Sequence, residues 1–192
     1  MSKTKFLRKR QLLKLVDRLP GTIFQYREWP DGRCAFPYST RAIEEIFFTT
    51  PKKLSKDGNL AWNCLTEESA KEVRDALKQS EEKLEEFSIT FCTRSPQDRL
   101  HWIQMRALPE RLKDGGVLWH GHMKNITAQH HAEEAAKQKT ALLNVIFENL
   151  PDHIYYKDRE ARMLGLNPAC SKYHHRTSEE MIGKTDLDFY PP

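Results

Sequence analysis

Three runs of alternating apolar and polar residues, Glu86 to Arg94, Leu100 to Leu108 and Val117 to Ile126, are separated by turn sequences at Ser95-Pro96-Gln97-Asp98 and Lys113-Asp114-Gly115-Gly116. Links this short cannot house a crossover, so the runs must pair as antiparallel neighbours. Phe87, Ile89 and Phe91 alternate with Ser88, Thr90 and Cys92, which sends one face of the first strand inward. A register that sets Met105 opposite Gly121 places Ile103 opposite Met123, with Trp119 on the same side. That side is the expected concave face of a sheet.

Two further strands precede this meander. Thr22 to Trp29 is rich in Ile, Phe and Tyr, and Pro30-Asp31-Gly32 supplies the turn that returns the chain to Cys34 through Tyr38. A short helix is expected from about Ser39 to Phe48, then a polar loop through Pro51 and Asp57-Gly58-Asn59. A longer helix follows from Thr66 to about Leu84, with Thr66 as N-cap and Ala70, Val73, Leu77 and Leu84 as its buried stripe. Residues 4–19 suit an amphipathic helix, stopped by Pro20 and Gly21. The pattern predicts an α+β domain of five strands with helices between them.

Composition narrows the class. In 192 residues, 39% hydrophobic content supplies a core, 30% charged content supplies a solvated surface, and no apolar run approaches the length of a membrane span. The net charge of +4 is spread along the chain, so no nucleic-acid footprint is visible and no nucleic-acid partner is expected. No secretory signal is present, which places the expected location in the cytoplasm with Cys34, Cys64, Cys92 and Cys170 as free thiols.

Residues 128–150 read as another helix, with Ala132, Ala136, Leu143, Ile146 and Leu150 at heptad spacing and Gln129 and Lys139 in the same seam. Three heptads alone suit an ordinary surface helix as well as a coiled-coil seam joining two copies of the chain, and the length suits a connector. Leu19-Pro20-x-x-Ile23-Phe24 recurs as Leu150-Pro151-x-x-Ile154-Tyr155 at an offset of 131 residues, shared by Pro37 and Pro168. Each copy follows a helix and enters a strand, so a duplicated module is the reading. The second copy has room only for a hairpin and short helices, which suggests the front of a longer protein.

Leu150 through Asp158, Asn167-Pro168-Ala169, and Glu179 through Asp188 with Tyr190-Pro191-Pro192 resemble the opening half of a PAS domain. Arg99-Leu100-His101-Trp102-Ile103, the Asp114-Gly115-Gly116 turn and Trp119-x-Gly121-x-x-x-Asn125-Ile126-Thr127 resemble the closing PAS strands and their Asp-Ile-Thr exit. The first copy departs in carrying Phe36 where the second has Asn167, in lacking the Ile-Gly-Lys segment, and in placing Asn125 where the family has Asp. After the N-terminal helix, taken as 1–18, the resemblance implies a PAS domain over 19–127 with a five-stranded antiparallel sheet and helices on one face, a linker over 128–149 and the start of a second PAS domain over 150–192. It further implies a non-catalytic sensory and dimerising module of a sensor histidine kinase or diguanylate cyclase.

On this reading Tyr26, Phe87, Ile89, Phe91, Ile103, Met105, Trp119 and Met123 line a ligand pocket, with Thr22 and Gln25 as nearby polar groups, and Asn125, Ile126 and Thr127 relay the signal. A small-molecule ligand and a homodimer through the helices are the expected partners. The alternative is a ligand-free protein-interaction domain whose pocket is filled core; a flavin-binding light or redox sensor is third. Asn63-Cys64 resembles the flavin-adduct cysteine of light-sensing relatives, but lacks that motif's flanking Gly-Arg and Arg-Phe-Leu-Gln. Haem-binding relatives carry a His on the long helix, and Thr66 to Leu84 has none. The cofactor is therefore left open, with flavin and haem disfavoured.

No nucleophile elbow, Cys-His pair or glycine-rich phosphate loop is present, so catalysis is not expected. His120 and His122 share one side of a strand and invite a metal, but they fall on the convex side and no carboxylate partner is evident, so no metal is predicted. His130-His131 and His174-His175 are read as solvated pairs.

Overall fold

A computed structural model describes residues 20–189. The N-terminal helix expected over 4–19 lies outside the described residues. Two compact units divide at His130/His131.

In the first unit, β1 (Thr22–Glu28) and β2 (Cys34–Ser39) form a hairpin. A 3-10 turn (Arg41–Ile43) runs into α1 (Glu44–Phe47), followed by α2 (Pro51–Leu54), α3 (Asn59–Trp62) and the long α4 (Glu67–Lys83). Strands β3 (Phe87–Arg94), β4 (Leu100–Arg111) and β5 (Val117–Asn125) complete a five-stranded antiparallel sheet in the order β2-β1-β5-β4-β3. The helix α5 (Thr127–Asn149) leads out of β5. The α+β class and the five-stranded sheet agree with the expectation.

Local chemistry explains the elements. Gly32 takes a φ of +82° at the hairpin tip, and its N–H donates to the Trp29 carbonyl at 2.9 Å. Thr66 caps α4 by accepting from the Ser69 N–H at 3.3 Å, with Glu67 and Glu68 against the positive end of the helix. Gly121 sits where a Cβ would come within 2.6 Å of the Arg106 carbonyl oxygen and against the Phe24 ring, so only glycine allows β1, β4 and β5 to close up there.

Four expectations are corrected. Met105 pairs with Met123 and Ile103 with Asn125, while Gly121 lies opposite Ala107. The register is thus displaced by two residues from the expected one, because β4 runs on to Arg111 and the reversal falls further along. Side-chain parity has a period of two, so the inward set survives the displacement.

The second correction concerns α4, whose buried residues are Ser69, Val73, Leu77 and Ser80. Ser69 Oγ accepts the Cys92 N–H at 2.8 Å, and Ser80 hydroxyl donates to the Glu85 carbonyl at 3.0 Å, so both polar groups are satisfied inside. Leu84 instead ends the helix in the left-handed region and is exposed. Third, the expected polar loop holds two one-turn helices. Thr50 caps the first, with Pro51 at its first position, and Asp57 accepts the Asn59 N–H at 3.0 Å before the second.

The fourth concerns the repeat. The second unit contains β6 (Tyr155–Lys157), β7 (Met163–Leu166), α6 (Pro168–His174) and α7 (Ser178–Met181), around a core of Met163, Leu166, Cys170 and Met181. In the first unit the Ile23 N–H donates to Thr40 Oγ1 at 3.2 Å and the Thr40 N–H to the Ile23 carbonyl at 3.0 Å. In the second, the Ile154 N–H donates to Asn167 Oδ1 at 3.1 Å and the Asn167 N–H to the Ile154 carbonyl at 2.9 Å. Asn167 is therefore the counterpart of Thr40, not of Phe36. The tie spans 17 residues in the first hairpin and 13 in the second, so the shared offset of Pro37 and Pro168 is coincidental.

Candidate functional site

Alternation along the strands sends Phe24 and Tyr26 of β1, Phe36 of β2, Phe91 of β3, Met105 and Ala107 of β4, and Trp119 and Met123 of β5 toward the helices. Phe47 of α1, Ala61 and Trp62 of α3, and Val73 and Leu77 of α4 close over them. The space between them is a cavity of about 30 Å³. That is room for about two water-sized molecules, and an apolar lining of this kind stays dry.

Aromatic rings set its shape. Tyr26 lies 5.0 Å from Phe36 and 5.7 Å from Trp119, centroid to centroid, and Phe36 lies 5.7 Å from Phe47. The polar groups gather at one end. Trp62 Nε1–H donates to the Tyr26 hydroxyl at 3.1 Å, and that hydroxyl donates to Glu28 Oε1 at 3.4 Å. Burial, reinforced by the nearby Glu28 charge, pushes the Tyr26 phenol far above its ordinary range, so it is a neutral donor at any physiological pH. Burial, and then the Glu81 charge, raise the Glu28 carboxyl. Trp119, with no exposed surface, donates its indole N–H to Ser80 Oγ at 3.2 Å.

Of the expected pocket residues, Tyr26, Phe91, Met105, Trp119 and Met123 line the cavity. Ile103 is fully buried in the same core but stands outside the lining, at the end of the sheet where it pairs with Asn125. Phe87 and Ile89 are half-buried at the core margin, since β3 is the sheet edge there. Thr22 is spent on a 2.8 Å hydrogen bond with Thr40. Gln25 points to the opposite side of the sheet, 3.3 Å from His120 Nδ1. Phe36, Phe47, Ala61 and Trp62 were missed from sequence; strand alternation could have found Phe36, but the one-turn helices carry no period to read.

The residues of the expected relay form a second cluster at the sheet exit. Asn125 Oδ1 accepts from the Thr127 N–H at 3.0 Å and the Thr127 hydroxyl at 2.6 Å. Trp102 N–H donates to Thr127 Oγ1 at 2.9 Å, and the Ile126 N–H to the Trp102 carbonyl at 2.8 Å. Asn125 Nδ2 lies 3.3 Å from His101 Nδ1. On the outer side of the sheet the rings of Trp102 and His130 stack at 4.1 Å and 9°. His130 is thus a packed residue rather than a solvated one. His174 meets the Tyr173 ring edge-on at 5.1 Å.

Along α5, no residue is buried; Ala132, Ala136, Leu143 and Ile146 are exposed and Leu150 is half-buried. Among the described residues, no helix is long and apolar enough to cross a membrane, and no group of three His, Cys, Asp or Glu could hold a metal. His120 Nε2 lies 2.9 Å from Glu110 Oε2, and His122 Nε2 lies 2.9 Å from the Pro20 carbonyl.

The flavin of light-sensing proteins does not fit. Cys64 directs its thiol at the carbonyls of Phe47 and Leu60, at 3.2 and 3.3 Å, and is absent from the cavity wall; burial raises its pKa, away from the reactive thiolate. A three-ring cofactor also exceeds the cavity many times over.

Residues 147–192 match a family described as PAS fold. Among solved structures, a sensory box histidine kinase/response regulator from Burkholderia thailandensis E264 is 15% identical, with 71% of this chain and 98% of that chain covered at a TM-score of 0.51. An RNA-binding light-oxygen-voltage receptor is 12% identical, with 75% of this chain and 41% of that chain covered at a TM-score of 0.52. Both are likenesses of fold. Among curated proteins none matches this sequence.

Proposed function

We propose that this chain, a member of the PAS domain family, is the sensory and relay portion of a signal-transduction protein of the histidine-kinase or diguanylate-cyclase type. A PAS domain is in general non-catalytic, and the chemistry of this one is binding: the output domain belongs to the parent protein. The name of the Burkholderia neighbour supports the kinase assignment. Cytoplasmic placement is part of the same proposal, as are a PAS domain over 19–127, a linker over 128–149 and the start of a second PAS domain over 150–192.

The observation that carries the reading is the dry cavity under the sheet, walled by five of the expected pocket residues and touched by one neutral hydrogen-bonding end, Tyr26 with Trp62. It suits a small, uncharged, apolar molecule with at most one polar atom, because a charged group would lose its hydration with no partner inside. A ligand that repacks Phe47 on α1 shifts the population of sheet arrangements that feed Asn125, Ile126 and Thr127.

Xenon, an apolar probe for dry cavities, tests this. The methyl signals of Met105 and Met123 should shift saturably under xenon pressure, and Ala61→Leu, which fills the space, should remove the response. Unmoved methyl signals at saturating pressure would overturn the ligand reading. They would favour the second one, a ligand-free interaction domain, to which the small cavity volume of about 30 Å³ lends weight.

The homodimer is proposed through Ala132, Ala136, Leu143, Ile146 and Leu150. Support comes from the exposed apolar surface of α5, where Leu143 is 55% and Ile146 45% solvent-accessible, with no covering element among the described residues. Leu143→Glu should weaken association at least about tenfold by sedimentation, the cost of burying one charge in a seam. A wild-type chain that sediments as a monomer at high concentration would sink the seam.

A further inference from the structure

The cluster at the exit of β5 accepts only one protonation state of one side chain. The Thr127 N–H can only donate, so it fixes Asn125 with Oδ1 toward Thr127 and Nδ2 toward His101. The Thr127 hydroxyl accepts the Trp102 N–H, which commits its own proton to the same Oδ1. His101 Nδ1, at 3.3 Å from Asn125 Nδ2, must therefore accept. The neutral ring with its proton on Nε2 does so, whereas both nitrogens of an imidazolium are donors. On its other side His101 meets the Phe48 ring edge-on at 5.4 Å, and Phe48 ends α1 directly after Phe47 of the cavity wall.

We infer that His101 is a proton-sensitive latch on the connector helix: its neutral ring completes the network that ties Thr127 to the sheet, and its protonated ring breaks that network. Protonation sets donor against donor. Asn125 cannot answer by turning its amide over, because its NH2 would then face the Thr127 N–H.

The surroundings offer His101 no ion-pair partner among the described residues. Facing it are Phe48, Asn125 and, across the β3 pairing, Thr93. The charged and titratable groups that the packed elements carry nearest this end of the sheet are Glu44 and Glu45 on α1, Cys92 and Arg94 on β3, Arg99 before β4, Lys124 on β5 and His130 on α5. Arg94 is paired with Asp98 and Glu44 with Arg41, and no ion pair among the described residues includes His101. His130 acts with the opposite sign: as a cation its ring would hold the Trp102 face more firmly.

Proton uptake by the ring favours the released state, so the docked population falls as pH drops. The inference goes beyond the sensing reading and holds with or without a ligand in the cavity.

Amide exchange of the full chain tests it. Protection factors at Thr127 through His130, corrected for the intrinsic pH dependence of exchange, should fall at least about tenfold between pH 8 and pH 5, the loss of one to two hydrogen bonds. Ile103 and Met105 should stay protected. His101→Gln keeps an acceptor for Asn125 at every pH and should flatten the profile, while His130→Gln should leave the fall in place. Asn125→Asp should reverse its direction, since a carboxylate pairs with the imidazolium. A flat wild-type profile, a fall that survives His101→Gln, or equal losses at Ile103 and Met105 would overturn the latch.

Discussion

Trp119→Ala should lower the stability of the first unit by about 3–5 kcal/mol, the range for removing a large aromatic side chain from a core. No part of Trp119 is solvent-exposed, and its ring packs on Tyr26 on the helix side of the sheet. The residual space would join an existing cavity, so relaxation could not close it and the cost should fall in the upper half of the range. A domain of this size holds about 5–15 kcal/mol in all, so the loss is a large share of it. Urea unfolding followed by circular dichroism measures it. Trp119→Phe, which keeps most of the packing but gives up the indole N–H to Ser80, should cost about 1 kcal/mol. A loss below about 1 kcal/mol for the alanine variant would mean that the sheet and helices do not close over this ring.

Asn167→Ala should release the second unit while leaving the first intact. Asn167 is fully buried, and its Oδ1 accepts from the Ile154 and Cys170 N–H groups at 3.1 and 3.0 Å. Its Nδ2 donates to the carbonyls of Leu150 and Asp152, at 3.2 and 2.8 Å. Alanine removes the cap of α6 and strands those four backbone groups, about 3–5 kcal/mol together. The core it must be set against is Met163, Leu166, Cys170 and Met181 with Phe189 alongside. Amide exchange should show lost protection across 154–189 and unchanged protection across 22–125. Asn167→Thr should restore part of it, because Thr40 makes the equivalent tie in the first unit with a hydroxyl. Protection that persists in the alanine variant would show that the hairpin stands without this side chain.

The strands were legible because alternation, turn residues and short links all point the same way. Their inward faces survived a register misplaced by two, since two is the side-chain period. Register itself was not legible: the reversal lies beyond Pro109, within a stretch whose turn signals do not say where pairing ends. The long helix was legible in extent and not in facing. Its buried positions include Ser69 and Ser80, which are indistinguishable from surface serines until Cys92 and Trp119 are placed beside them.

The site was half legible for the same reason. Tyr26, Phe91, Met105, Trp119 and Met123 come from strands and follow the alternation, whereas Phe47, Ala61 and Trp62 come from one-turn helices too short for a period. The repeat was legible at Ile23 and Ile154 and misleading at the prolines. Equal spacing holds along the incoming strand but fails across a hairpin of different length. Of the exit cluster, Asn125 and Thr127 were readable by their likeness to a known ending. His101 was not, because its role depends on a partner on the next strand.

The two hairpins differ in length yet end on the same two-bond tie, in which an isoleucine backbone meets the side chain and the backbone N–H of one polar residue. Whatever grows or shrinks at the hairpin tips leaves that fastening unmoved, so the tip around Asp31 is a place where foreign sequence can be grafted without disturbing the interior. A reporter inserted there would travel with the sheet rather than with its own loop.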